Sequence, residues 1–142
     1  MGIHTDWYIH NLAILTRVTE RVSAEEVAFM NYELNHLLDS AEASIIVLLH
    51  FDGVENNTNG LFAAEKLKTL KHPRVSQLIC CGNIGRTLKA VCKSPRAFGL
   101  DFECNMFDDW SQVQKYLLEK CDTVTPLDIE NAEDLLELQG WR

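Results

Sequence analysis

Ser44-Ile45-Ile46-Val47-Leu48-Leu49-His50-Phe51 decides the fold. The run is too continuously apolar for a strand with one wet face, so it reads as a central strand buried on both sides. A strand of that kind needs helices to cover it, and the flanking sequence supplies them. Before it, Ser23 and Glu26 form a capping-box pattern with Val22 and Val27 placed as a hydrophobic staple. Behind that start, Val27, Met30, Leu34, Leu37 and Leu38 recur at helical spacing, which predicts a helix over about 24–39. After it, the polar stretch 52–60 leads into a second helix expected over 61–70, closed by His72-Pro73.

The same alternation of element types continues to the end of the chain. Val75 to Cys81 is a further buried strand, and Gly82-Asn83-Ile84-Gly85 opens a helix carrying Leu88, Val91 and Cys92 that ends before Pro95. Residues 102–107 alternate apolar and polar, as a more exposed strand does. Asp109 with Gln112 caps a fourth helix, and Thr125-Pro126 with Asp128 starts a last one. At the amino end, Trp7-Tyr8-Ile9-His10 and residues 13–19 read as two strands around a turn at Asn11. The expected architecture is therefore α/β: a mixed sheet of four to five strands with four helices plus a C-terminal helix.

Length and charge narrow the function classes. The 142 residues make one domain at the usual size of ~100–200 residues. A net charge of −8 argues against a nucleic-acid backbone as partner. No apolar run reaches the ~18 residues of a membrane span. The first ten residues lack the basic and apolar regions of a secretion signal, and the five cysteines lack paired ligand spacing, so free thiols in a cytoplasmic protein are expected. Charge is unevenly placed: residues 122–142 hold six acids and one base, whereas residues 1–121 are nearly balanced. This divides the chain into a domain over 1–121 and an acidic helical tail over 122–142. Ile129, Ala132, Leu135 and Leu136 give the tail an apolar stripe, which either docks on the domain or covers a second copy in a homodimer.

No catalytic constellation and no metal-ligand spacing emerge, and no cofactor is implied. The histidines form neither HxxxH nor HExxH, and no nucleophile elbow is present. His50 and Asp52 stand near each other at a strand end, where a local structural hydrogen bond competes with an acid–base role. Cys80 and Cys81 are neighbours in a strand and should face opposite sides of it as inert thiols.

Two loops remain as candidate sites. Gly82, Asn83, Gly85 and Arg86 lie between a strand and a helix, where backbone N–H groups cradle an anionic or lipid-like ligand; glycine's use in a tight turn explains the same spacing. The other is the switch-loop Asp52, Asn57, Thr58, Asn59 and Gly60. A buried strand ending near an Asp, followed by Asn57-Thr58-Asn59-Gly60 at the start of an amphipathic helix, resembles the STAS domains of anti-sigma-factor antagonists. Small stand-alone bacterial proteins of that kind also share the flavour of residues 71–83 and 98–110.

In that family a D-S-S-G motif occupies this place, and its first serine is phosphorylated by a partner anti-sigma kinase. Asn57 matches the Asp, Thr58 the phosphorylated Ser, Asn59 the second Ser and Gly60 the Gly. The resemblance spans about 1–121 and implies a non-enzymatic signalling module with a protein partner, and Thr58 as phospho-acceptor. Phosphate at a helix start adds ~1.5–2 negative charges there and alters a docking surface. The sequence departs from the motif at Asn57, which removes the acidic neighbour, and at Glu55-Asn56, which replace an apolar pair. Thr58 also suits a plain N-cap.

Overall fold

In the computed structural model the described residues are 2–52 and 68–139. Five strands form one sheet: β1 (Ile3–Ile9), β2 (Ala13–Val18), β3 (Ile45–Phe51), β4 (Val75–Gly82) and β5 (Glu103–Phe107). They lie in chain order, β1-β2-β3-β4-β5, with β1 antiparallel to β2 and the remaining pairs parallel. The helices are α1 (Ala24–Ser40), α2 (Gly85–Lys93), α3 (Trp110–Lys120) and α4 (Pro126–Leu138), with a 3₁₀ turn at Pro95–Phe98. The chain is thus α/β, with a mixed sheet of the expected size. No described helix is long and apolar enough to cross a membrane.

Alternation along the strands sorts the core into two layers. Ile45, Val47, Leu49, Leu78 and Cys80 point to one face, where α1 brings Val27, Met30, Leu34 and Leu38 and α2 brings Leu88, Val91 and Cys92. Ile46, Leu48, Ile79 and Cys81 point to the other, where α3 brings Val113 and Leu117 and α4 brings Ile129 and Ala132. The strand order accounts for this division. Parallel crossovers of one hand that advance in one direction lay their helices on one face, leaving α3 and α4 for the other. Cys80 and Cys81 accordingly face opposite layers, as expected from the strand period.

The predicted helix starts are built as the sequence indicates. Ser23 and Glu26 exchange backbone-to-side-chain hydrogen bonds of 3.2 Å in each direction, and Thr125 and Asp128 do so at 2.9 and 3.2 Å. The Asp109 N–H donates to Gln112 Oε1 at 3.2 Å. Asn11 turns the first hairpin at φ +56°, a left-handed conformation that asparagine tolerates.

Two boundaries differ from expectation. β1 begins at Ile3, four residues before Trp7, and His10 lies in the turn rather than the strand. Ile3-His4-Thr5-Asp6 is too polar to advertise a strand, but buried Thr5 meets Thr16 across the ladder, with Oγ1 atoms 2.9 Å apart. In α4, Leu135 is 57% exposed, while Ile129 and Ala132 carry the buried side and Leu136 packs against it. Of the helix expected over 61–70, residues 61–67 lie outside the described residues; 68–70 are helical, with Leu70 buried.

Candidate functional site

Parallel strands end together, and their carboxyl ends are where open α/β sheets gather ligands and partners. Here β2 delivers Arg17, β3 delivers His50 and Asp52, β4 ends at Cys81 and Gly82, and β5 runs out into Asp108 and Asp109. Arg17 and His50 are register partners on adjacent strands, so both side chains emerge on the face covered by α3 and α4. Asp52, one residue past β3, forms an ion pair with the Arg17 guanidinium, and its backbone N–H donates to the Val18 carbonyl at 2.9 Å. These two contacts fix the point at which the chain leaves β3.

The helices on that face complete a polar cluster. Trp110, the first residue of α3, stacks on the His50 ring with centroids 4.8 Å apart and planes 9° from parallel. Tyr8 meets the same indole edge-on at 5.4 Å. Glu133 of α4 accepts a 2.6 Å hydrogen bond from the Tyr8 hydroxyl and a 2.9 Å bond from Trp110 Nε1. Buried tyrosine and tryptophan need a partner for their polar ends, and one carboxylate oxygen serves both. Between these groups lies a cavity of about 180 Å³, lined by Arg17, His50, Asp52, Trp110 and Glu133 with Leu15 and Leu136.

Burial favours the neutral forms of His50 and Cys81. Burial pulls His50 below the ordinary histidine range; Asp52 opposes this and Arg17 reinforces it, so the ring is neutral at neutral pH. Burial first, then Asp109, Asp52 and Asp108, pushes the Cys81 thiol up to about 11. A thiol in that state is a poor nucleophile. His50 and Asp52 stand at one strand end as the sequence suggested, but Asp52 is paired with Arg17 while the His50 ring is stacked on Trp110.

Compared with known proteins, the chain matches no family model, no curated protein and no solved structure.

The other sequence-derived candidates separate from this cluster. Asn57, Thr58, Asn59 and Gly60 lie outside the described residues. Gly82 adopts φ +89°, and a Cβ there would stand 2.2 Å from the Phe51 carbonyl oxygen, so close packing of β4 on β3 demands glycine. Gly85 also has positive φ, at +82°. Asn83 and Arg86 are exposed, and none of these loop residues lines the cavity. Ile84, the N-cap of α2, contributes no side-chain cap.

Arg17, Tyr8, Trp110 and Glu133 were missed by sequence reasoning. Tyr8 and Glu133 are 125 residues apart, and no local pattern joins them. The available signal was two aromatic residues with polar ends beside predicted buried strands, which implies a distant acceptor.

Proposed function

We propose that this chain is a non-enzymatic signalling or protein-interaction module, STAS-like in character, whose working surface is the carboxyl end of its parallel strands and whose switch is Thr58. The observation that carries the reading is the double anchoring of Asp52 by Arg17 and the Val18 carbonyl. It ties the first residue of the segment bearing Thr58 to a side chain that also lines the cavity, giving a modification a route into the Arg17–His50–Trp110 cluster. The strand order, with an antiparallel hairpin leading into parallel strands, agrees with the fold that the resemblance implies. Enzymatic chemistry is disfavoured by the site's own state. The cavity is smaller than the ~300–1,000 Å³ of ordinary ligand pockets, the His50 ring is stacked, and the Cys81 thiol is protonated at neutral pH.

Incubation with ATP and an anti-sigma-type serine/threonine kinase, followed by peptide mapping, tests the switch. One phosphoryl group on Thr58, lost in Thr58→Ala, is expected. Phosphate at another residue, or none with a kinase active on its own substrate, contradicts the proposal.

A second reading takes Gly82, Asn83, Gly85 and Arg86 as an anion-binding loop. It is favoured by the positive φ of Gly82 and Gly85, at +89° and +82°, which bends the loop between the end of β4 and the start of α2. Titration with inorganic phosphate, followed through the backbone amides of 83–87, tests it; unshifted amides exclude it.

A further inference from the structure

The near balance of charge over residues 1–121 conceals a division. Residues 66–100 hold eight of the chain's 13 basic side chains and no acid. The fold sets four of them in a row. α2 presents Arg86, Lys89 and Lys93 at spacings of three and four, all exposed, and Arg96 continues the row on the 3₁₀ turn. The Lys71 side chain lies against the same turn, since a Cβ on Gly99 would stand 3.3 Å from its Cε. Among the described residues, none of the four in the row has an ion-pair partner. Beside them opens a cavity of about 490 Å³, where Lys93 and Arg96 meet the apolar Pro95, Ala97 and Phe102. Asp101 and Glu103 line it on the β5 side.

α4 carries the complement. Ile129, Ala132 and Leu136 face its own domain, which turns Leu127, Leu135 and Leu138 outward at 62%, 57% and 83% exposure. Exposed Glu130, Asp134 and Glu137 run along one side of these leucines. The two surfaces do not meet within one chain. α4 packs at β1 on the second face, through the bond between Glu133 and Tyr8, whereas α2 packs over β5 on the first. Those strands are opposite edges of the sheet, four strand spacings or about 19 Å apart.

We propose that the outer face of α4 docks on the α2 and 3₁₀-turn surface of a second copy, so that the chain self-associates head to tail. The three leucines leave water against Pro95, Ala97 and Phe102, and Glu130, Asp134 and Glu137 pair with the basic row. A second copy is the occupant because this chain carries both halves of the contact: an apolar strip edged by acids and an apolar groove edged by bases. An anionic polymer would match the bases but leave the groove and the leucines in water. The contact is heterologous, so growth need not stop at a dimer. The net charge of −8 does not prevent it, because at physiological ionic strength charges act over only about 8 Å and the facing patches decide.

Sedimentation velocity of the full chain over a range of protein concentrations tests it. The average mass should rise above that of the monomer with concentration, and fall again at about 1 M salt, where the screening length is ~3 Å. Lys89→Glu with Lys93→Glu on α2, or Asp134→Lys with Glu137→Lys on α4, should each weaken association about tenfold. All four positions are exposed, so the fold should survive, with an unchanged circular dichroism spectrum. Mixing the two double variants should restore association, because each then meets the opposite charge on the other. A chain monomeric at every concentration, association that either reversal leaves intact, or a mixture no tighter than the variants alone overturns the proposal. Monomers that bind a uridine homopolymer through the basic row would overturn it too, assigning that row to nucleic acid.

Discussion

The first face of the sheet is closed mainly by aliphatic side chains from α1 and α2 with the thiols Cys80 and Cys92, its polar content a buried Thr5–Thr16 hydroxyl pair and Asn31 of α1, whereas the second face changes character along its length. Toward the amino ends of its parallel strands it is as apolar as the first, with Ala13, Ile46 and Leu48 under α3 and α4. Toward the carboxyl ends Arg17 and His50 replace aliphatic residues at the same alternating positions, and Tyr8, Trp110 and Glu133 close over them. One face is held chiefly by dispersion and burial. The other ends in a hydrogen-bonded network in which each polar group depends on a distant partner. A mutation in the first should therefore act through volume, and one in the second through unsatisfied polarity and pH.

Removing residues 122–142 should give the largest effect, because it strips Val124, Ile129 and Leu136 from the second face together with the Glu133 carboxylate. Each large apolar side chain is worth ~1.5–3 kcal/mol when buried, so the loss approaches the whole stability of an ordinary domain, about 5–15 kcal/mol. Urea unfolding and dye binding to exposed apolar surface measure it. A shortened chain as stable as the full one would show that α4 contributes nothing to the second face.

Single substitutions sharpen the contrast. Leu49→Ala, at a fully buried site on the first face, should cost about 2–5 kcal/mol, and the cost should not change with pH. Glu133→Ala leaves the Tyr8 hydroxyl and Trp110 indole without their acceptor and should cost about 1–3 kcal/mol. Glu133→Gln keeps an acceptor and should recover much of that loss. Equal losses for Ala and Gln would mean that Glu133 acts through packing alone.

A smaller effect distinguishes the faces by pH. The folded-state value of His50 lies below 6.5, so the unfolded chain binds more protons than the folded one as the solution is acidified. The stability this group contributes is present above pH 6.5 and is lost as pH falls through its folded value. His4 acts with the same sign, lowered by burial against the opposing charge of Asp6. His50→Phe keeps a ring on Trp110 and should reduce the acid-side slope in urea unfolding. An unchanged slope would remove His50 from the account.

Local chemistry made most of the fold legible. Ile45 to Leu49 declared a doubly buried strand, and the pairs Ser23/Glu26 and Thr125/Asp128 declared helix starts, because periodicity and capping operate within a few residues. Ile3 to Asp6 was not legible, since an edge strand needs only Ile3 and Thr5 buried and its partner Thr16 lies eleven residues away. The site divides in the same way. His50 and Asp52 were visible as polar residues ending an apolar run, and the glycines at 82 and 85 as a turn. Arg17, Trp110 and Glu133 became a site only when α3 and α4 crossed the sheet, an event without a short-range signature.

The proposed switch requires that the segment carrying Thr58 communicate with the carboxyl end of the sheet through Asp52, which Arg17 and the Val18 carbonyl hold. Two-dimensional NMR of the full chain before and after phosphorylation of Thr58 addresses it most directly, with the Trp110 indole Nε1–H and the amides of Arg17, His50 and Asp52 as reporters. These resonances should move on modification, while those of Ala13, Ile45 and Val75 at the opposite strand ends stay in place. Phosphorylated Thr58 with unmoved Arg17, His50 and Trp110 signals would contradict the account.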